Sequence, residues 1–175
     1  MSDRTFKLVV SIGLAAGGIL GMAGTFAPTA SLRGLLWGVD GIGLVLATAL
    51  LALAFYRRGE DVAAAGFLVF CIGESLLLAG AAQELAASGP GFGAGVGLWA
   101  LGLALISSAS VWPLAVRVLG FLASLLFAVT ALQIFGGKPI GPLTSPLPYY
   151  GYPVLVATLA GWIVTLWRPT PAPQP

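Results

Sequence analysis

The chain has 175 residues, of which 58% are hydrophobic and 8% charged, with a net charge of +2 and a mean hydropathy of +1.00. A water-soluble domain carries about 25% charged residues, so most of this surface must meet lipid, and the scattered basic residues form no block suited to nucleic acid. Histidine is absent and cysteine occurs once, at Cys71, which excludes His-ligated haem, histidine-box di-iron chemistry, His-based triads and an internal disulfide or C-x-x-C pair.

A helix needs roughly 20 apolar residues to cross a hydrocarbon core of about 30 Å. Charge, proline and glycine divide the chain into six such stretches: 8–27, 34–56, 62–83, 92–108, 112–135 and 149–167. They predict an all-α integral membrane protein, with one six-helix transmembrane domain over 1–168 and a disordered proline-rich tail, "PTPAPQP", beyond it.

The first stretch follows "MSDRTFK" and imitates a secretory leader. Its apolar run of about 20 residues exceeds the usual 7–15 of such a leader, and Pro28 would follow the cut after Ala27, so a retained helix is expected. Glycines at 13, 17, 21 and 24 follow one face of it. The second stretch has Gly34, Gly38 and Gly41 on one stripe, and the third has Gly66, Gly73 and Gly80 nearly in line. The fourth has Gly91 and Gly95 on one track and Gly93 and Gly97 on another. It is short, ends in "SSASVWP", and reads as the weakest span. Lipid does not press helices together as water does, so close backbone approach at small residues has to do more of the work. The glycines therefore predict a glycine-packed bundle, and their faces also offer a contact between copies of the chain.

In the fifth stretch Arg117 lies one turn in, placed to snorkel to the interface. The connection "GGKPIGPLTSPLPYYGYP", residues 136–153, carries five prolines and reads as stiff and non-helical. Its tyrosines fall where the sixth helix enters the membrane, either as an aromatic belt or as a lid over something between the helices. Cys71 lies in an apolar run and reads as a small packing residue.

If the N-terminus is cytoplasmic, Arg4, Lys7, Arg57, Arg58, Arg117 and Arg168 fall inside and only Arg33 and Lys138 outside. That bias places both termini in the cytoplasm. The Ala- and Gly-rich composition with short loops points to a bacterial inner membrane.

Asp3, Glu60, Asp61 and Glu84 lie at ends or in loops, but Asp40 and Glu74 are inside spans. Each costs about 2.5–3.5 kcal/mol at mid-span on insertion scales, and such residues usually face a bundle interior or a wet cavity. Asp40 is seven residues past Arg33, about 10 Å along the helix. Glu74 is nine residues before Gln83 on an antiparallel helix, about 13 Å from that same end. The two are therefore level to within a turn, and two carboxyls meeting there are expected to share a proton.

Arg33, Trp37 and Asp40 share a helix face at steps of four and three. Arg33 is placed either to pair with Asp40 or to stack on Trp37. Trp99 and Gln133 lie at matching depths, with Tyr149 and Tyr150 in the connection above. These residues predict an outward-facing, aromatic-walled pocket with Asp40 and Glu74 as its floor.

The leading expectation is binding or transport of a small, largely apolar molecule or lipid at that site. The alternative is a structural or accessory subunit of a larger membrane complex with no ligand site of its own. A membrane enzyme using Asp40 and Glu74 as an acid–base pair is disfavoured, because the chain has no nucleophile with a base beside it and no metal-ligand cluster. No catalytic residue, metal or cofactor is expected, and the bilayer is the expected partner.

Overall fold

The computed structural model describes residues 2–81 and 89–168. Among these residues there are six helices and no strand: α1 (Asp3–Thr25), α2 (Ala30–Tyr56), α3 (Asp61–Ala81), α4 (Gly89–Ser108), α5 (Leu114–Phe135) and α6 (Gly151–Leu166). Gln83, Glu84 and the tail 169–175 lie outside the described residues.

Five of the helices, α1 to α5, are long and apolar enough to cross a membrane. The fourth stretch, expected to be the weakest span, is a 20-residue helix. Its Pro90 falls in the first turn, where the missing N–H would have had no partner in any case. The short helix is α6, with 16 residues, about 24 Å long. The prolines at 139, 142, 146 and 148 keep the chain before it out of helix. Tyr149 and Tyr150, expected at the start of the sixth span, therefore fall in the preceding turn.

Helices α1 to α4 all begin earlier than the apolar pattern alone implies, and α1 and α2, which begin earliest relative to it, each have a polar cap. Ser2 accepts from the Thr5 N–H at 3.2 Å and starts α1. Thr29 accepts from the Leu32 N–H at 3.3 Å and starts α2 four residues before the expected start at 34. In the first turns of α1, Lys7 and Asp3 pair at 3.0 Å, the one salt bridge among the described residues.

Each helix packs on its neighbours in sequence, and α1 packs on α6, so the six close into a ring. At one seam of that closure the Trp167 indole N–H donates to Ser11 Oγ at 2.9 Å. The order of the helices puts Arg4, Lys7, Arg57, Arg58, Arg117 and Arg168 at one end of the ring, here called the terminal end, and Arg33 and Lys138 at the other. Arg117 extends toward the terminal end of α4. Its Nε donates to the Ser107 carbonyl at 2.8 Å, and its Nη2 reaches the Ser108 carbonyl at 3.4 Å. It thereby satisfies carbonyls left over at the end of α4.

Backbones approach closely along several seams. A Cβ on Gly13 would fall 2.6 Å from the Gly43 carbonyl oxygen, one on Gly73 2.9 Å from that of Gly95, and one on Gly102 2.8 Å from that of Gly66. The α1 glycines rest on Trp37, Asp40, Leu44 and Ala47 of α2, a row spaced by three and four. The expected α2 stripe divides: Gly41 faces Glu74 and Leu78 of α3, whereas Gly34 and Gly38 have nothing within 4 Å.

The terminal half of the ring interior is filled with aromatic side chains. Phe55 stacks on Phe67 with centroids 5.4 Å apart, and Trp162 meets Phe67 edge-on at 5.0 Å and Trp112 at 6.0 Å. The column continues through Phe70, stacked on Trp99 at 5.3 Å, to Phe127, which lies 5.2 Å from Trp99. Rings meeting in offset or edge-on geometry contribute about 0.5–1.5 kcal/mol a pair beyond area burial. Cys71 is half-buried, and its Sγ lies 3.6 Å from the Val45 carbonyl oxygen at the α2–α3 seam.

Candidate functional site

Above the aromatic column, toward the end opposite the termini, the ring encloses a cavity of about 340 Å³. Its walls are mostly apolar, with Met22, Leu44, Leu77, Phe92, Leu155 and Leu159 among them. Seven side chains give it polar character: Thr25 from α1, Arg33, Trp37 and Asp40 from α2, Glu74 from α3, Trp99 from α4 and Tyr152 from α6.

Glycine opposite each carboxyl makes room for it. Asp40 Oδ2 lies 2.8 Å from where a Cβ on Gly21 would sit, and Glu74 Oε1 lies 3.1 Å from the same point on Gly41. Neighbouring residues 40 and 41 thus turn one carboxyl toward α1 and admit the other from α3. Asp40 is half-buried, whereas Glu74 is only 4% exposed.

The surrounding polar groups are mostly committed to backbone. The Trp37 indole N–H donates to the Gly21 carbonyl at 3.2 Å, and the Thr25 hydroxyl donates to the same oxygen at 3.1 Å. Arg33 Nη2 donates to the Ala27 carbonyl at 3.1 Å, and its guanidinium lies over the Trp37 ring at 5.9 Å. Of the two placements open to Arg33 from sequence, the structure adopts the stack, and Arg33 forms no salt bridge with Asp40.

Six buried side-chain polar atoms lack a hydrogen-bond partner among the described residues. Four of them belong to residues on this cavity: Arg33 Nε, Asp40 Oδ1, Glu74 Oε2 and Trp99 Nε1. The Trp99 indole N–H lies near the Glu74 carboxyl without closing a hydrogen bond to it. Buried polar atoms in folded proteins are satisfied about nine times in ten, so four unpartnered ones on one cavity set it apart from the packed interior.

Of the residues singled out from sequence, Asp40, Glu74, Arg33, Trp37 and Trp99 come together here. Gln133 does not. It borders a separate depression with Lys138 and Thr144 under the α5–α6 connection. Tyr149 and Tyr150 also lie off the cavity: Tyr149 packs edge-on against Phe26 at 6.1 Å and against Tyr150 at 5.4 Å. The connection reaches the cavity through Pro142 instead.

Tyr152 is the residue that sequence reasoning passed over. It packs against Trp99 at 6.3 Å and Phe127 at 5.8 Å, within reach of the charge of both carboxyls. The signal was available, since Tyr152, Leu155, Val156 and Leu159 follow helical spacing and all border the cavity.

Comparison with protein-family models, with curated proteins and with solved structures finds no match to this chain. The chemistry of the site therefore has to be read from its own atoms. It offers two carboxyls without a cationic partner, two indoles, a phenol and an apolar wall, and groups of this kind can hold a proton or an organic guest.

Proposed function

We propose that this chain is a glycine-packed bundle of a bacterial cytoplasmic membrane. Both termini are on the cytoplasmic side, and the chain binds or carries a small, largely apolar molecule or lipid in an outward-facing pocket at Asp40 and Glu74. The observation that carries this reading is the gathering of four unpartnered buried polar atoms on one apolar cavity. The six basic residues at the terminal end, against two at the other, support the orientation. The close glycine approaches along the α1–α2 and α3–α4 seams support the packing.

The test uses the full chain extracted in mild detergent and weighed by native mass spectrometry, alongside Val156→Phe, which enlarges an apolar side chain of the cavity wall and leaves both carboxyls in the sequence. The wild type should retain a small-molecule or lipid adduct that the variant lacks, with other lipid adducts unchanged. No adduct, or the same adduct in both, sinks the proposal.

A second reading, as an accessory subunit or homo-oligomer, draws on Gly38. It has nothing within 4 Å and, unlike Gly34, does not border the cavity, and a small residue on such a face lets a foreign helix approach closely. Gly38→Leu would leave the mass of particles in lipid nanodiscs unchanged if this face is bare, and would lower it if the face joins subunits.

A further inference from the structure

Resting on the pocket reading above, we infer that the guest is a lipophilic organic cation carrying one positive charge, and that it exchanges for one proton held by the Asp40–Glu74 pair.

The inference begins with the charges that face the cavity. From α2 come Arg33 and Asp40 and from α3 comes Glu74. From α6 comes the phenol of Tyr152, and α1 and α4 add no titratable group. Lys138, the cation of the α5–α6 connection, borders the separate depression with Gln133. With both carboxyls ionised, the described residues lining the site hold one negative charge in excess, in surroundings that solvate charge poorly. Arg33 does not offset either carboxyl by contact, because its guanidinium is committed to the Ala27 carbonyl and the face of Trp37. A single positive charge placed between Asp40 and Glu74 is what the site lacks.

Other guests fit less well. An anion would meet two carboxyls. A neutral guest would leave Asp40 Oδ1 and Glu74 Oε2 without counter-charge. A bare metal ion of the calcium or magnesium type wants six or more oxygen ligands in a close shell, and here two carboxyls face mostly apolar walls. The cavity holds about 340 Å³, about twice the roughly 150 Å³ of an apolar cavity that takes up benzene. That suits an ammonium group attached to an apolar body of about a dozen heavy atoms. The indoles of Trp37 and Trp99 and the phenol of Tyr152 complete the match, since aromatic faces attract organic cations, and more strongly when water is excluded.

Exchange follows from charge balance. Without a guest, a proton on one of the two carboxyls supplies the missing positive charge. When the cation enters, that proton leaves to water and both carboxylates stay ionised, so one positive charge replaces another. Raising the pH removes the competitor, and cation affinity should rise with it.

The experiment compares two isosteres on the wild-type chain in lipid nanodiscs: benzyltrimethylammonium and neopentylbenzene, which has carbon in place of the charged nitrogen. Binding is read from tryptophan fluorescence against empty discs. Calorimetry of the cation in buffers of different ionisation enthalpy counts the protons released. The cation should bind at least about tenfold more tightly and release one proton per site. Asp40→Asn and Glu74→Gln should each lose the preference and the proton release, and Asp40→Glu should restore both. Equal or tighter binding of the neutral isostere overturns this inference and leaves the apolar-pocket reading standing. Binding of neither compound overturns both, and cation binding without proton release overturns the exchange. The isostere comparison needs no variant, so it stands even where a substitution prevents folding.

Discussion

The two halves of the ring interior are built from the same helices and differ in what fills them. Toward the terminal end, Phe55, Phe67, Trp112 and Trp162 interlock, and the unpartnered buried atoms outside the cavity are Ser107 Oγ and Trp112 Nε1. Toward the other end, α6 stops short, a proline-rich connection takes its place, and the space holds two carboxyls instead of another ring. Large side chains in close contact make the filled half the source of stability. The hollow half gives up packing and gathers four unmatched polar atoms around one cavity.

That contrast can be broken by substitution. The largest effect is expected at Trp162, 1% exposed at the centre of the filled half. Trp162→Ala should cost about 3–5 kcal/mol, seen as a large drop in melting temperature in detergent. Phe92→Ala, on the cavity wall, should cost less than half of that, because its ring already faces open space on one side. Equal losses would mean that the two halves are packed alike.

Next comes the α3–α4 seam. Gly102→Val would place a Cβ 2.8 Å from both the Gly66 carbonyl oxygen and the Phe70 nitrogen, and overpacking of this kind costs about 1–3 kcal/mol. A variant that melts with the wild type would show that the seam yields freely.

Trp37→Phe removes the hydrogen bond to the Gly21 carbonyl, a loss of about 1 kcal/mol, readable in the same melts. Asp40→Asn should carry the opposite sign. It removes a charge with an unpartnered oxygen, so the melting temperature should hold or rise while binding is lost. A destabilised Asp40→Asn would make Asp40 a structural residue. The smallest effect is expected at Gly38→Ala, where nothing lies within 4 Å. Helix propensity alone should there raise stability by about 0.5–1 kcal/mol.

The helices were legible because apolar length is a one-dimensional property, and the departures at their ends have local causes. Ser2 and Thr29 extend α1 and α2 through caps that hydropathy does not register. Asp40 and Glu74 could be matched in depth because both are counted from the same end of antiparallel helices. Azimuth was harder to read. Whether Gly34 and Gly38 meet a neighbour depends on how α2 is rotated in the ring, and the seam in fact runs through Gly43. The same limit explains why Tyr152, and not Tyr149 or Tyr150, borders the cavity. The choice rests on where α6 begins, and a proline-rich approach blurs that boundary.

The closure of the ring rests on α6, which alone joins α5 to α1. Without α6, helices α1 to α5 would form only an open arc, with the inward faces of Phe67, Phe70, Trp99 and Phe127 uncovered. Only with α6 in place does Trp162 meet the rings of α3 and Tyr152 meet those of α4 and α5. The shortest helix therefore acts as a latch, and the chamber above the aromatic column does not exist until it closes.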